Sequence, residues 1–248
     1  MEVAYQTDVG QQRQNNQDYV GFYTNQRGVQ FAIVADGMGG HLGGDVASEM
    51  AVSHIGHEFE KTDDTDIEAM VKWLIFELQR ENQHILAKAN QYDDLSGMGT
   101  TLVAVLISGT HYLVANIGDS RVYRLRRNTL RQLTEDHSLV NELVKQGELT
   151  AEAAKHHPQK NIITRTLGVS QEVDADVTIY EFEPDDYLLL CTDGLTNMVD
   201  DDQLQQTLMA EMTLEEKCAA LIQKANEAGG MDNITALILH HEGEVLTP

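Results

Sequence analysis

The stretch Phe31-Ala32-Ile33-Val34-Ala35-Asp36-Gly37-Met38-Gly39-Gly40 joins an apolar run to an aspartate and a glycine-rich segment. Five consecutive apolar residues that include β-branched ones are typical of a strand. A carboxylate at the end of a strand is held by a rigid sheet, and the adjacent glycine permits close approach of the backbone. The stretch therefore predicts a sheet that presents Asp36 at a functional site.

Three further aspartates have the same setting. Asp119 follows the apolar run 112–118, Asp193 follows the run 187–192, and Asp232 precedes the run 234–239. If these strand ends converge, their side chains form a cage of oxygen ligands, which suits Mg²⁺ or Mn²⁺ better than Zn²⁺. The pattern predicts metal-assisted chemistry.

Strands and helices both have clear signals along the chain. Apolar runs separated by turn residues predict hairpins that pair 19–24 with 28–35, 100–107 with 110–117, and 121–125 with 130–133. Apolar residues at helical spacing predict one helix after Thr65, with Glu68 in a capping box, and another from Thr213, with Glu216 in a capping box. Further helices are expected after Gly43 and from the acidic run 200–202.

The order of these elements favours an α+β fold. Short turns connect consecutive strands and the helices come in blocks, so antiparallel sheets with helices packed outside are expected. No linker or repeat divides the chain, which predicts a single domain over 1–241 followed by a short tail at 242–248. The segment 138–169 is less regular, and we interpret it as a flap beside the site.

Composition limits the possible partners and surroundings. The net charge of −23 argues against nucleic acid or an anionic membrane as the main partner. The two cysteines, Cys191 and Cys218, fit buried positions in a reducing compartment. The first residues lack the features of a signal peptide, and no apolar run is long enough to span a membrane. A cytoplasmic location without membrane insertion is expected.

Phosphate esters are suitable substrates for a metal site of this kind, because cations neutralise their charge. The residues also indicate which of the known mechanisms of phosphoester hydrolysis the chain could use. A carboxylate that bridges two cations can activate water, and a guanidinium such as that of Arg13 can bind phosphate through two hydrogen bonds. A cysteine nucleophile is excluded, because no arginine follows Cys191 and Cys218 lies within a predicted helix. The chain contains neither a Walker motif nor the Gly-Asn-His-Glu segment of metallophosphatases that use histidine ligands.

Short motifs occur in a fixed order along almost the whole chain. They are Arg13-x-x-Asn16-Gln17-Asp18, Asp36-Gly37-Met38-Gly39-Gly40-His41, Met98-Gly99-Thr100-Thr101, Gly118-Asp119-Ser120-Arg121-x-Tyr123, Asp136-His137, Thr192-Asp193-Gly194-Leu195 and Gly230-x-Asp232-Asn233-Ile234-Thr235. In this order the motifs resemble those of the metal-dependent Ser/Thr protein phosphatases of type 2C, most closely the compact bacterial members. The resemblance implies a four-layer α-β-β-α sandwich and the hydrolysis of phosphoserine and phosphothreonine in proteins.

The resemblance also assigns roles in binding Mn²⁺ or Mg²⁺, with two central ions and a third, weaker one. It implies that Asp36 bridges the central ions, that a metal-bridging hydroxide is the nucleophile, and that no phosphoenzyme forms. It implies that the Gly37 carbonyl binds one of the central ions, that Asp193 and Asp232 complete the first site, and that Asp18 reaches the second ion through water. It further implies that Asp119 with Asp193 binds the third ion and that Arg13 holds the phosphate.

Several alternatives stay open at this stage. Some relatives have histidine at the position of Met38, so the proton donor here is either His41 or water. Asp119 could instead organise a turn and pair with Arg121. The protein could also be a pseudophosphatase that binds metal or a partner without turnover. By resemblance, a membrane Ser/Thr kinase and its substrates are expected partners, and a monomer is the default for a compact catalytic domain.

Overall fold

The computed structural model of the protein describes residues 1–39 and 43–241. His41 and the predicted tail at 242–248 lie outside these ranges. Eleven strands and seven α-helices are described, and the strands form two antiparallel sheets.

The first sheet has five strands in the order β1-β11-β10-β7-β8. Its inner strands β10 and β11 are the apolar runs beside Asp193 and Asp232. The bounds of the strands are β1 Glu2–Asp8, β7 Arg121–Arg126, β8 Thr129–Gln132, β10 Tyr187–Cys191 and β11 Ile234–His240.

The second sheet has the order β2-β3-β5-β6-β9, and the short strand β4 pairs with the end of β3. The hairpins predicted for this sheet are confirmed by the pairing of β2 with β3 and of β5 with β6. The bounds of its strands are β2 Asp18–Thr24, β3 Gln30–Met38, β4 Gly99–Thr100, β5 Leu102–Ser108, β6 His111–Ile117 and β9 Asp176–Glu181.

Three apolar layers hold the two sheets and the helices together. Alternate residues of a strand point to opposite faces, so Val34 contributes to the core between the sheets and Ile33 packs under the helices that cover the second sheet. Helices α1 and α2 cover the second sheet, and α6 and α7 cover the first. The helix bounds are α1 Gly44–Glu60, α2 Ile67–Gln91, α3 Leu139–Lys145, α4 Ala151–Lys155, α5 Asp193–Thr196, α6 Asp201–Met209 and α7 Leu214–Glu227. The α-β-β-α sandwich is confirmed.

Local predictions were less accurate at some positions. The capping box of α7 is confirmed, with Thr213 and Glu216 in reciprocal hydrogen bonds. The capping box expected at Thr65 was wrong: Asp66 is the N-cap of α2, and its carboxylate accepts a hydrogen bond from the Ala69 N–H. Glu68 therefore lies one residue too early for the reciprocal contact. Strands β1 and β9 and helices α3 and α5 have no counterpart among the elements predicted from the sequence.

Candidate metal centre

Strand register brings two of the predicted ligands together. Asp18 and Asp36 are directly opposite each other in the β2–β3 pair, a position in which Cβ atoms are about 5 Å apart. Gly37 follows Asp36, and its N–H donates to the Gln17 carbonyl at 3.0 Å. A Cβ at Gly37 would lie 2.0 Å from the carbonyl oxygen of Gly44, so only glycine lets α1 begin this close to the strand.

The backbone of Asp36 is fixed by Thr101. The Asp36 N–H donates to Thr101 Oγ1 at 3.0 Å, and the Thr101 N–H donates to the Asp36 carbonyl at 2.9 Å. The Thr101 hydroxyl also bonds to the hydroxyl of Ser120 at 2.8 Å. Because Ser120 follows Asp119, this chain of bonds holds the Asp119 loop next to Asp36.

Thr192, which follows β10, and Thr235 of β11 hold the Asp18 carboxylate from the side of the first sheet. Thr192 and Thr235 donate their hydroxyls to Asp18 Oδ2 at 2.8 and 2.7 Å. Thr192 directly precedes Asp193, and Thr235 lies on β11 shortly after Asp232. The same contacts therefore join the two sheets and bring their carboxylates together.

Asn233 fixes the loop that leads to Asp18. Its Oδ1 accepts from the Gln17 N–H at 2.8 Å, and its Nδ2 donates to the carbonyls of Val9 and Asn15 at 2.9 and 2.8 Å. The backbone of Asn233 also approaches Gly194, where an added Cβ would lie 1.9 Å from the Asn233 carbonyl oxygen. Glycine at 194 is thus needed for Asp193 and Asp232 to be neighbours.

Arg13 lies at the exposed side of these carboxylates. Its Nη2 donates to Asp232 Oδ2 at 2.8 Å, and about half of its side chain is exposed. Asn197 donates to Asp193 Oδ2 at 2.9 Å. Arg13 is therefore close to the predicted ligands and open to solvent.

Asp119 is buried, and it does not pair with Arg121. The Arg121 guanidinium instead binds both carboxylate oxygens of Asp136, with its shortest contact at 2.6 Å. His137 accepts a hydrogen bond from the Gly118 N–H at Nδ1, and its Nε2 lies 3.2 Å from Asp176. Both of its ring nitrogens have hydrogen-bond partners, so His137 supports the Asp119 loop.

The site thus brings together five carboxylates, which we call the carboxylate cluster. Their combined negative charge is larger than the positive charge of the side chains that pair with them. Among residues 1–39 and 43–241, Arg13 is the only cation in an ion pair with the cluster. Neither Asp18 Oδ1 nor Asp119 Oδ1, both buried, has a hydrogen-bond partner in that part of the chain. The members of the cluster are Asp18, Asp36, Asp119, Asp193 and Asp232.

The pKa values of the cluster reflect this crowding. Burial raises the pKa of Asp18 to about 7 against the hydrogen bonds from Thr235 and Thr192, and the charge of Asp193 adds to the increase. Burial and the charge of Asp193 raise the pKa of Asp119 to about 8. Burial, followed by the charge of Asp18, raises the pKa of Asp36 well above its ordinary value. Buried acids of this kind bind either protons or cations, and an all-oxygen donor set fits hard divalent ions.

A groove extends from the cluster beneath the predicted flap. A cavity of about 860 Å³ is lined by Asp119 and Asp193 on one side and by Val140 and His156 of the flap segment on the other. The flap segment contains α3 and α4, and Thr150 is the N-cap of α4. The groove therefore leads from the flap segment to Asp119 and Asp193 of the cluster.

The residues that support the cluster were not predicted from the sequence. Thr192, Thr235 and Asn233 belong to the quoted motifs, but no role was given to them. Their positions next to Asp193 and Asp232 were the available signal. Their hydrogen bonds reach Asp18 and Gln17, more than 170 residues away, so spacing alone did not reveal them.

The two packed antiparallel sheets and the carboxylate cluster are the features expected of a type 2C protein phosphatase. Comparison with known sequences identifies the family. The sequence model described as "Protein phosphatase 2C" matches residues 7–232. The chain belongs to the protein phosphatase 2C family and is a protein serine/threonine phosphatase.

Among the helices that the structure describes, none combines the length and apolar character needed to cross a bilayer.

Similar proteins cover almost the whole chain. The serine/threonine phosphatase stp of Listeria welshimeri is 47% identical over 96% of this chain and 95% of its own length. The serine/threonine phosphatase structure from S. agalactiae has a TM-score of 0.94 at 43% identity and covers 98% of this chain and 99% of that one. The PstP catalytic domain in complex with 2 manganese ions has a TM-score of 0.83 at 35% identity, with 96% of each chain covered.

Proposed function

We propose that the protein hydrolyses phosphoserine and phosphothreonine esters of other proteins at the carboxylate cluster, with divalent cations as the cofactor. The observation that carries this proposal is the convergence of five aspartates in one site, where two buried carboxylate oxygens lack a hydrogen-bond partner among the described residues. Bringing this much negative charge together away from water is costly unless cations compensate it.

The positions of the aspartates support the binding of separate ions by different members of the cluster. Asp36, Asp193 and Asp232 would hold one central ion, and the Gly37 carbonyl would bind one of the two central ions. Asp36 would also hold the second ion, which Asp18 would reach through water. Asp119 with Asp193 would hold a third. Bound divalent cations acidify water and neutralise the charge of a phosphate group. The relative in complex with 2 manganese ions supports divalent cations in this fold, and we propose Mn²⁺ or Mg²⁺ here.

Side chains of the protein itself orient the reaction. Thr192 and Thr235 bind one oxygen of Asp18, which leaves its other oxygen, Oδ1, for a cation. Arg13 pairs with Asp232 at the solvent side of the cluster. Its planar guanidinium matches two phosphate oxygens. We infer that Arg13 leaves Asp232 to bind the substrate phosphate once the Asp232 charge is compensated by a cation.

The test is phosphate release from a phosphothreonine peptide with Mn²⁺, with Mg²⁺ and with excess EDTA. We expect release that EDTA abolishes, and a loss of at least about a hundredfold in Asp36→Asn, because electrostatic stabilisation of the reacting phosphate depends on that charge. The exposed Asp63→Asn variant is the matched control and should retain full activity. Near-full activity of Asp36→Asn at saturating Mn²⁺ would contradict the assignment.

The role of Arg13 has a separate test. Arg13→Ala should weaken substrate binding while metal binding, measured by calorimetry, is retained. Unchanged kcat and KM would remove Arg13 from the phosphate site. A folded wild-type protein that binds Mn²⁺ without releasing phosphate from any phosphopeptide would instead support the pseudophosphatase alternative.

The chemistry of the substrate also implies its source. Phosphoserine and phosphothreonine in proteins are made by protein kinases, so we propose that the enzyme opposes a Ser/Thr kinase, expected to be membrane-anchored, as a cytoplasmic monomer. Size-exclusion chromatography with light scattering tests the oligomeric state. Dephosphorylation of an autophosphorylated Ser/Thr kinase in vitro tests the proposed partner.

A further inference from the structure

Two histidines and a glutamate meet on the outer helical layer, apart from the carboxylate cluster. His54 of α1 has its Nδ1 2.9 Å from Glu81 Oε1 of α2, and the Nδ1 of His84 lies 3.1 Å from Glu81 Oε2. One candidate ligand atom from each residue lies within 4.8 Å of the other two. We propose that these three residues form a second metal site that binds Zn²⁺ or a similar divalent transition metal.

Helix geometry keeps this site separate from the carboxylate cluster. His54 is ten residues after the start of α1 at Gly44, which corresponds to about 15 Å along the helix. Glu81 and His84 are three residues apart on α2, so they share one face of that helix. A metal ion here would therefore connect α1 to α2 without using any of the predicted catalytic ligands.

Burial of Glu81 is the observation that favours a cation. The Glu81 side chain is 2% exposed, whereas the side chains of His54 and His84 are about half exposed. The neighbouring Arg80 does not compensate it, because its guanidinium pairs with Glu77 at 2.7 Å and Glu58 at 3.7 Å. Both oxygens of Glu81 are thus directed to imidazole nitrogens, as an inner carboxylate with two outer histidines.

The donor set determines the class of metal. Two imidazoles and one carboxylate, with a fourth position open to water, form a known zinc ligand set, with bonds of about 2.0–2.2 Å. Tetrahedral geometry with such bonds places ligand atoms about 3.3 Å apart. The candidate ligand atoms lie within 4.8 Å of one another, and the two half-exposed imidazoles can move toward a common ion. Mg²⁺ prefers oxygen ligands and would not compete well here.

Metal binding requires a defined change in protonation. Each Nδ1 now lies within hydrogen-bonding distance of Glu81, so Nδ1 carries the proton in this arrangement. An ion can bind Nδ1 only in the neutral tautomer that carries its single ring proton on Nε2, so each ring would exchange its Nδ1 proton for one on Nε2, and Glu81 would lose that hydrogen bond. Binding should therefore weaken at acid pH, where ligands retain protons.

The experiment is titration of the full chain with Zn²⁺ at saturating Mg²⁺, followed by calorimetry and thermal unfolding. We expect one equivalent of Zn²⁺ to bind, and an increase in the unfolding temperature of about 5 °C at a hundredfold excess over Kd. His54→Ala should weaken this binding at least tenfold. His57→Ala is the matched control, because His57 is an exposed histidine on the same helix and should bind Zn²⁺ as the wild type does.

A spectroscopic readout distinguishes this site from the carboxylate cluster. Co²⁺ added in the presence of Mg²⁺ should give visible absorption bands that are absent in His54→Ala and in His84→Ala. Both His54→Ala and His84→Ala should retain Mg²⁺-dependent phosphatase activity. Loss of the Co²⁺ absorption bands in these variants therefore tests the second metal site separately from the proposed phosphatase function. Equal Zn²⁺ binding by wild type and His54→Ala, or no Zn²⁺ equivalent in the wild type, would overturn the proposal.

Discussion

Removing the charge of Asp18 should make the metal-free protein less sensitive to alkaline pH. Asp18 is buried between the two sheets, and burial raises the pKa of its carboxyl from 3.8 to about 7, helped by the charges of Asp193 and Asp232. A folded-state pKa above the unfolded value means that the stabilising contribution is full below about pH 3.8. It is lost as the pH rises through about 7.

The size of the effect follows from the two pKa values. Each unit of difference corresponds to about 1.4 kcal/mol, so the unfolding free energy of the metal-free protein loses at most about 4 kcal/mol from Asp18. Between pH 5 and pH 8 the loss is about 3 kcal/mol. The amide introduced by Asp18→Asn cannot ionise, and its oxygen can still accept the hydroxyls of Thr192 and Thr235. Asp18→Asn should therefore keep the unfolding free energy that the wild type loses between pH 5 and pH 8 through ionisation of Asp18.

The assay is urea denaturation at pH 5 and pH 8 in EDTA. The wild type and the exposed control Asp63→Asn should lose more stability between these pH values than Asp18→Asn, by about 3 kcal/mol. Mn²⁺ should restore the stability of the wild type at pH 8, because it binds only the folded state. An equal loss in the wild type and Asp18→Asn would refute the idea that a buried Asp18 charge sets this pH dependence.

Two further variants test the supports of the site. Gly194→Ala would place a Cβ 1.9 Å from the Asn233 carbonyl, so we expect a loss of about 2 kcal/mol or more in urea denaturation and reduced phosphate release; wild-type stability would contradict this. Asn82→Ala removes the partner of the Gly168 N–H, which donates to Asn82 Oδ1 at 2.7 Å. We expect a loss of about 1–3 kcal/mol and faster hydrogen exchange at 168–171, and unchanged exchange there would show that Asn82 does not anchor the end of the flap.

Sequence patterns were informative where a local rule determines the structure. The apolar run before Asp36 and the turn residues that precede this run predicted the β2–β3 hairpin. The capping box at Thr213 was predicted to the residue. The strands that were missed, β1 and β9, are at sheet edges, where few residues are buried. Only Ala4 of β1 is buried, so its hydrophobic signal was weak, and pairing with β11 makes it a strand.

The candidate cluster shows a different limit of sequence reasoning. Motifs identified the carboxylates, but the Asp18 carboxylate is held by Thr192, which follows β10 of the other sheet, and by Thr235 of β11. Because both hydroxyls bind Oδ2, Oδ1 is the oxygen left for either a proton or a cation. The contacts that join the sheets therefore also lower the pKa of Asp18 against the larger effect of burial. It follows that loosening these threonine contacts should change fold stability and metal affinity together, a coupling that no single motif contains.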